Sequence, residues 1–522
     1  MLRFQSILFL TLVLNFSVPE AFSQSIPVGN TAVEDYFRRS QLLGELDSTV
    51  SFTVRPLLPF SIDSDVSLRS YDLFMTSKYH VGPSKNRNSI QMLPVSMKQR
   101  YTSHPSYSFN DGAMIPGKGF QTLVSAGAYA KIGPLSVQLQ PEYVFAANSA
   151  FKEFSSHLGS ADLPVRFGTD PYSKLLWGQS SVRLSFDPVS IGLSNENLWW
   201  GPGIRNSLLM SNTATGFKHL TLNTTRPIKT PIGSIETQII AARLQGSGFT
   251  NSLPDDWRYL SGIVFSYQPR WVPGLFLGMT RGFQTYSEDL DGSFADYMPF
   301  FQAFQKIKTN EFEKRRDQLT SLFARWLFTG SKAELYFEYG LNDHSWNTRD
   351  FLMTPEHSRV YTLGMNKLIS YKGNTDEYIQ VGIEMTHMEQ PLDQIFRPAG
   401  EWYMHSEVIL GYTNRGEVLG AGIGPGGNFQ TLQVSWVKSL KQIGLQIERY
   451  EHNGDLANAS GYGQWIDFSA AAVSTWDHKN FLLNAKLQAI NSVNYQWLSG
   501  PKGSPNKNAF HVNAEVGVMY RF

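Results

Sequence analysis

The 522-residue chain has no cysteine, which excludes a disulfide framework, a thiolate metal site and an amino-terminal lipid carried on cysteine. Its net charge of +1, from 45 Lys and Arg against 44 Asp and Glu, excludes a polybasic surface for nucleic acid. Long apolar runs are also missing. Past the leader segment no stretch approaches the about twenty apolar residues that a spanning helix needs, so a helical membrane protein is excluded. Low-complexity tracts, heptads and fixed-period repeats are absent apart from a strand rhythm. So are a nucleophile elbow, a His-Glu-x-x-His zinc helix and a phosphate loop. Asp343-His344 and Glu356-His357 are the two acid–base pairs on view, and pairs adjacent in sequence on a loop are more often local salt links than catalysts. No catalytic residue, metal site or cofactor is therefore expected.

What is present begins with an export signal. Residues 1–3 form a short positive region, 7–16 an apolar stretch broken only by Thr11 and Asn15, and Ala21-Phe22-Ser23 a small-x-small cleavage site. Residues 1–23 read as a signal peptide, and the mature chain is expected to start near Gln24. At the other end Phe510, Val512, Ala514, Val516, Val518, Tyr520 and Phe522 are apolar at strict period two, separated by His511, Asn513, Glu515, Gly517, Met519 and Arg521. Only a strand alternates in this way. A chain that closes on such a strand with an aromatic last residue resembles a bacterial outer-membrane β-barrel, the one fold that crosses a bilayer without long apolar runs because closure satisfies every backbone hydrogen bond.

The same rhythm recurs along the body. Leu135, Val137 and Leu139 alternate with polar residues, as do Val182, Leu184 and Phe186. Leu335, Phe337 and Tyr339 stand against Glu334, Tyr336 and Glu338; Ile379, Val381, Ile383 and Met385 against Gln380, Gly382 and Glu384. Leu432, Val434 and Trp436 alternate with Gln433 and Ser435, and Ile443, Leu445 and Ile447 with Gly444, Gln446 and Glu448. In a membrane barrel the apolar set meets lipid and the polar set lines the lumen. The 35 Phe, 23 Tyr and 12 Trp suit lipid-facing bands and interfacial girdles, although a secreted all-β carbohydrate-binding enzyme is also rich in aromatics. Residues 329–332 and 438–441 read as tight periplasmic turns, and 284–317, 344–357 and 390–404 as extracellular loops. Phe300, Phe301, Phe304 and Ile307 follow helical spacing within the first of these loops. Near the mature start, Thr31-Ala32-Val33-Glu34 has the form of a capping box and leads into a helical pattern stopped by Gly44, so residues 24–48 are expected to hold a helical plug or periplasmic appendage and 49–522 the barrel.

One motif lies outside the rhythm. Ser194-Asn195-Glu196-Asn197-Leu198-Trp199-Trp200-Gly201-Pro202-Gly203, with Asn206-Ser207-Leu208-Leu209-Met210-Ser211-Asn212 and Gly216-Phe217-Lys218-His219, closely resembles the signature of the capsule assembly protein Wzi family. Two further blocks fit the form that this family takes in Bacteroidetes-type sequences. They are Glu338-Tyr339-Gly340 with Asp343-His344 leading to Pro355-Glu356-His357-Ser358-Arg359, and Gly411-Tyr412-Thr413-Asn414-Arg415-Gly416 leading to Leu419-Gly420-Ala421-Gly422-Ile423-Gly424-Pro425-Gly426-Gly427-Asn428. The resemblance spans about residues 28 to 522. It implies a transmembrane antiparallel barrel of about eighteen strands (16–18) in the outer membrane, acting as a surface lectin that binds or anchors capsular or extracellular polysaccharide, with outer-membrane lipid around it. It also makes a polysaccharide export machinery a candidate partner, of which the sequence itself carries no sign.

The central motif has a physical reading of its own. Trp199 and Trp200 offer flat faces, Gly201-Pro202-Gly203 a turn without obstructing side chains, and Asn195, Glu196 and Asn197 hydrogen-bonding partners, which together suit a sugar ring. The competing reading folds this loop into the barrel as a packed plug, with its tryptophans buried and Glu196 paired with Arg205. The outer loops supply further sugar-contact candidates in Trp346, Trp402 and Tyr403. Lys306, Lys308, Lys314, Arg315 and Arg316 suit an acidic polymer, or, interleaved with Glu311, Glu313 and Asp317, a solvated helix face. A porin or substrate-specific channel and a glycan-modifying enzyme using Glu196 or Asp343 are the alternatives to a lectin.

Overall fold

The structure, a computed structural model, describes residues 25–58, 80–81, 88–105, 109–152, 161–250, 257–301, 315–342, 358–373, 376–390 and 400–522. The expected signal peptide, Trp346, Asp343, His344, Glu356, His357, Phe304, Ile307, Lys306, Lys308 and Lys314 lie outside these residues.

Alternation of side chains, repeated over many strands, closes into an antiparallel barrel of 18 strands. Closure joins the last strand, Ala509–Tyr520, to the first long one, Asn88–Thr102, with Tyr520 opposite Val95 and Asn513 opposite Thr102. One wall position is split into two short segments, Leu135–Leu139 and Glu142–Ala146, which both pair with Gly119–Ile132. Register along Asn88–Thr102 shifts between Leu93 and Ser96, where Pro94 has no N–H to give the ladder.

The outward face is apolar. Leu335 and Phe337 are 48% and 43% exposed while Glu334 and Glu338 on the same strand are 0% exposed. Leu445 and Ile447 likewise face out against buried Gln446 and Glu448. Such a surface in water would be costly at about 25 cal/mol per Å² of apolar area, so this exterior belongs in hydrocarbon and the protein spans the outer membrane. At one end the strands are joined tightly, at Lys438–Lys441 across Ser439-Leu440 and at Phe328–Ala333 through the short turn Thr329–Ser331. Both termini of the described chain lie at this end, which is therefore periplasmic; the long connections gather at the other.

Inside the short-turn end sits the helix Thr31–Leu42. The capping box does not form: the N-cap is Asn30, which makes no side-chain bond, and the Glu34 carboxylate accepts Arg55 Nη1 at 3.4 Å. Gly44, at φ +75°, lies just beyond the last turn. The helix is buried nearly all round, because it is enclosed by the barrel rather than laid against its end: Val33 and Phe37 pack with Val50, Phe52, Leu440 and Leu482, and Leu42 with Leu327, Leu368 and Tyr378. Among the described residues of the 284–317 connection, short helical turns stand at Ser287–Asp289, Phe294–Tyr297 and Pro299–Phe301.

Candidate functional site

Inward-facing glutamates on the wall organise the lumen. The Glu384 carboxylate accepts the backbone N–H groups of Ile204 at 2.7 Å, Arg205 at 3.0 Å and Asn206 at 2.8 Å, and the Tyr336 hydroxyl at 2.8 Å. Glu448 accepts Arg205 Nη2 at 2.6 Å, Glu338 accepts the Ser321 hydroxyl at 2.7 Å, and Glu236 accepts the Ser51 N–H at 2.7 Å. Each is the polar partner in an alternating strand. Together they hold the central motif and the amino-terminal segment across the barrel.

The central motif is a plug. Trp200 is fully buried, donates Nε1–H to Gln238 Oε1 at 2.9 Å, and packs its ring where a Cβ on Gly262 would stand 3.0 Å away. Trp199 is 4% exposed, with the Arg55 guanidinium 4.5 Å above its ring. The pair Trp199–Trp200 forms a two-stranded ladder with Val54–Arg55. Gly203 has no substitute here, since a Cβ would meet the Asn206 carbonyl at 1.9 Å. The packed-plug reading therefore describes the loop, but its charge pairing is different. Glu196 meets Arg183 at 2.6 Å and the hydroxyls of Ser194 and Ser25, while Arg205 goes to Glu448. Burial pushes the Glu196 carboxyl up, but Arg183 and the two hydroxyls outweigh it and hold it below the usual carboxylate range. Asn195 donates to the Gly178 carbonyl at 3.1 Å.

A second segment completes the filling. Trp402 and Tyr403 are not displayed on an outer loop; both are 0% exposed. Trp402 donates to the Ser358 carbonyl at 2.7 Å, and the Tyr403 hydroxyl donates to the Leu208 carbonyl at 2.7 Å while accepting the Ala421 N–H. They join Trp200, Leu208, Met210, Tyr412, Leu419 and Ile423 in one apolar cluster within the barrel. The lumen is thus lined by the polar set of the wall, as alternation implies, yet occupied by an apolar core brought in by two loops. Of the basic loop residues that are described, Arg315 pairs with Asp289 and Arg316 with Asp296.

Above this filling, at the long-loop end, a cleft of about 200 Å³ opens between Leu163–Val165, Gly416–Val418, Gly422–Pro425 and the ends of strands Lys441–His452 and Trp465–His478. Aromatic rings form one wall: Tyr450, His452, Trp465 and Trp497. His452 lies flat on Trp465, centroids 3.5 Å apart and planes at 7°, and Trp497 stands edge-on to Trp465 at 5.1 Å. Asp467 fixes the pair by accepting Trp465 Nε1–H at 3.0 Å and contacting His452 Nε2 at 2.7 Å. None of these residues was singled out from the sequence, because aromatics at strand ends look like girdle residues; their one trace is the cluster of Trp and His at the borders of two loops.

The cleft's rim carries a titrating group. Burial raises Asp455 to about 7; the Gln390 N–H opposes this, and Glu401 and Glu389 add to it. Since the folded value lies above the ordinary 3.8, the helix Gly454–Ser460 is most stable below pH 4 and loses that contribution as the pH rises towards 7. Hydrogen exchange over residues 454–460, corrected for intrinsic rates, is expected to quicken between pH 5 and pH 7.5, and Asp455→Asn to remove the change; a pH-independent wild type refutes it.

Comparison with known proteins now becomes decisive. Residues 91–495, more than half of the chain, match the family described as capsule assembly protein Wzi. The chain belongs to that family. Among solved structures, it resembles Wzi of Escherichia coli, described as an outer-membrane protein involved in group 1 capsule assembly and a carbohydrate-binding β-barrel. The likeness has 12% identity, covers 96% of this chain and 100% of that one, and has a TM-score of 0.65. Two further solved structures score lower. OccAB4 of Acinetobacter baumannii has 11% identity, covers 82% of this chain and 96% of its own, and scores 0.38; OccK8 of Pseudomonas aeruginosa has 8%, 82%, 97% and 0.40. Among curated proteins no sequence matches significantly.

Proposed function

We propose that this protein holds capsular or other extracellular polysaccharide at the cell surface and performs no chemistry on it. The observation that carries the reading is the division of the molecule into a lumen filled by the two loop segments and an aromatic cleft at the loop end. Membership of a capsule assembly family and the carbohydrate binding described for the E. coli barrel support it. Glu196, the acid that a glycan-modifying reading would use, is committed to Arg183, Ser194 and Ser25 in the packed interior and has no approach for substrate. Weak contacts per sugar suffice, because a polymer engages many copies at once. The polymer's route to the surface lies outside the barrel, which leaves the export machinery as a separate partner.

The test is deletion followed by measurement of cell-bound and shed polymer. Loss of the protein is expected to move most of the polymer into the medium without reducing the total made. Equal retention with and without it rejects the proposal.

A further inference from the structure

The loop-end cleft carries information about which sugar it takes. Among the described residues its lining includes no lysine or arginine, so an anionic sugar entering would lose water with no lining cation to replace it. What the cleft does contain is the carboxyl of Glu417, on the buried hairpin Thr413–Asn414/Glu417–Val418. That side chain is 9% exposed. Burial raises it well above the ordinary carboxylate range, Asp111 adds to the rise and Arg100 opposes it. Gln496 lines the same space, 3% exposed, with its side-chain Oε1 unpaired. Around it the backbone is forced: Asn494, Gln496 and Trp497 all have positive φ, at 54°, 50° and 52°. Left-handed non-glycine residues are costly and gather where a site over-determines the chain.

We infer that the cleft bounded by Tyr450, His452, Trp465, Trp497, Glu417 and Gln496 is a saccharide subsite selective for uncharged sugar units, such as neutral hexoses or N-acetylated amino sugars, against uronic acids. This rests on the polysaccharide-holding reading above and names its site and sugar class. The aromatic wall takes the C–H face of a pyranose ring, and the Glu417 and Gln496 side chains bond its hydroxyls. The space, about 200 Å³, is more than ten times the roughly 10–15 Å³ that on the same measure holds one water, and so has room for a sugar ring.

The experiment uses the full-length protein in detergent and oligosaccharides cut from the cell's own surface polymer, separated into neutral and acidic fractions, with a carboxyl-reduced sample of the acidic fraction alongside. Binding is read by tryptophan fluorescence and calorimetry. Neutral and carboxyl-reduced fragments are expected to bind, acidic ones at least about tenfold more weakly, and Trp497→Ala to weaken neutral binding by about tenfold. Val165→Trp, on the half-buried rim, fills the cleft without touching the packed interior and is expected to abolish binding while leaving thermal unfolding unchanged. Tighter binding of the acidic fraction overturns the inference, as does neutral binding that Val165→Trp leaves intact. If the deletion strain sheds its polymer and the cleft variants bind normally, the subsite alone fails. If no fragment binds and the deletion strain keeps its polymer, the polysaccharide reading fails with it.

Discussion

Replacing Glu384 by alanine is expected to open the barrel. Its carboxylate is the shared acceptor for three consecutive backbone N–H groups, at residues 204–206, and for the Tyr336 hydroxyl. Removing it strands four donors in the interior, at a cost on the order of 3–5 kcal/mol once desolvation of the orphaned groups is included. The turn that carries Gly203 then loses its attachment to the wall, while the sheet, whose ladders do not involve this side chain, stays closed. In planar bilayers the wild type is expected to carry no resolved ion current and Glu384→Ala to carry one. Glu384→Gln retains an acceptor oxygen but turns an amide N–H₂ towards donors, so it should fall between them. A silent Glu384→Ala protein with an unchanged melting curve shows that the plug is held by its apolar contacts alone. A conducting wild type returns the molecule to the porin reading.

Comparable in size is the expected effect of Glu334→Ala on the amino-terminal helix. Glu334 and Arg325 are 0% exposed, and Arg38 is nearly as deep. The carboxylate takes Arg38 Nε at 2.6 Å on one oxygen and Arg325 Nε at 2.7 Å on the other. Arg325 also donates to Gln41 Oε1 at 2.7 Å and the Ser51 carbonyl at 2.9 Å, and Arg38 to the Pro202 carbonyl at 2.8 Å. One carboxylate therefore ties the helix, the segment after it and the plug to the barrel wall. Without it two buried guanidinium groups lose their directly paired counter-charge, a loss of about 3–5 kcal/mol. Thermal unfolding in detergent should fall, and protease should cleave within residues 31–42 before the barrel opens. Replacing Arg38, Arg325 and Glu334 together by methionine or leucine is expected to restore much of the stability, because the desolvation cost of all three charges goes with them. An equal loss in the single and triple variants would mean that packing volume, not charge, binds the helix.

Both predictions concern glutamates whose inward direction is legible from alternation alone. Glu334 and Glu338 flank Leu335 and Phe337, and Glu384 lies between Ile383 and Met385, so a strand at period two must send them to the face opposite the apolar residues. Which face meets lipid is equally legible, and the exposure of Leu335, Phe337, Leu445 and Ile447 follows from it. What those glutamates grip is not. Glu384 and Arg205 are separated by 179 positions, and no local pattern encodes a partner at that distance.

The aromatics illustrate the same division. Trp199 and Trp200 stand out in the sequence as a motif, and either a sugar platform or a packed plug satisfies their chemistry; Gln238, Arg55 and Gly262, from three other segments, make them a plug. Trp402 and Tyr403 sit in a connection whose composition reads as an outer loop, but the chain turns inward there because the barrel leaves an interior that apolar side chains must fill. Trp465, Trp497 and His452 are marked in the sequence only by their clustering at loop borders, and become a wall only when the ends of separate strands and loops meet.

Side-chain period, turn spacing and the absence of long apolar runs determined, by themselves, a barrel with a greasy exterior, because strand geometry and the cost of unpaired backbone in lipid act on each segment independently. The filled lumen, the glutamate anchors and the cleft were decided only by the tertiary structure, because each depends on groups far apart in the chain that come within hydrogen-bonding or van der Waals distance only when the sheet has closed around them.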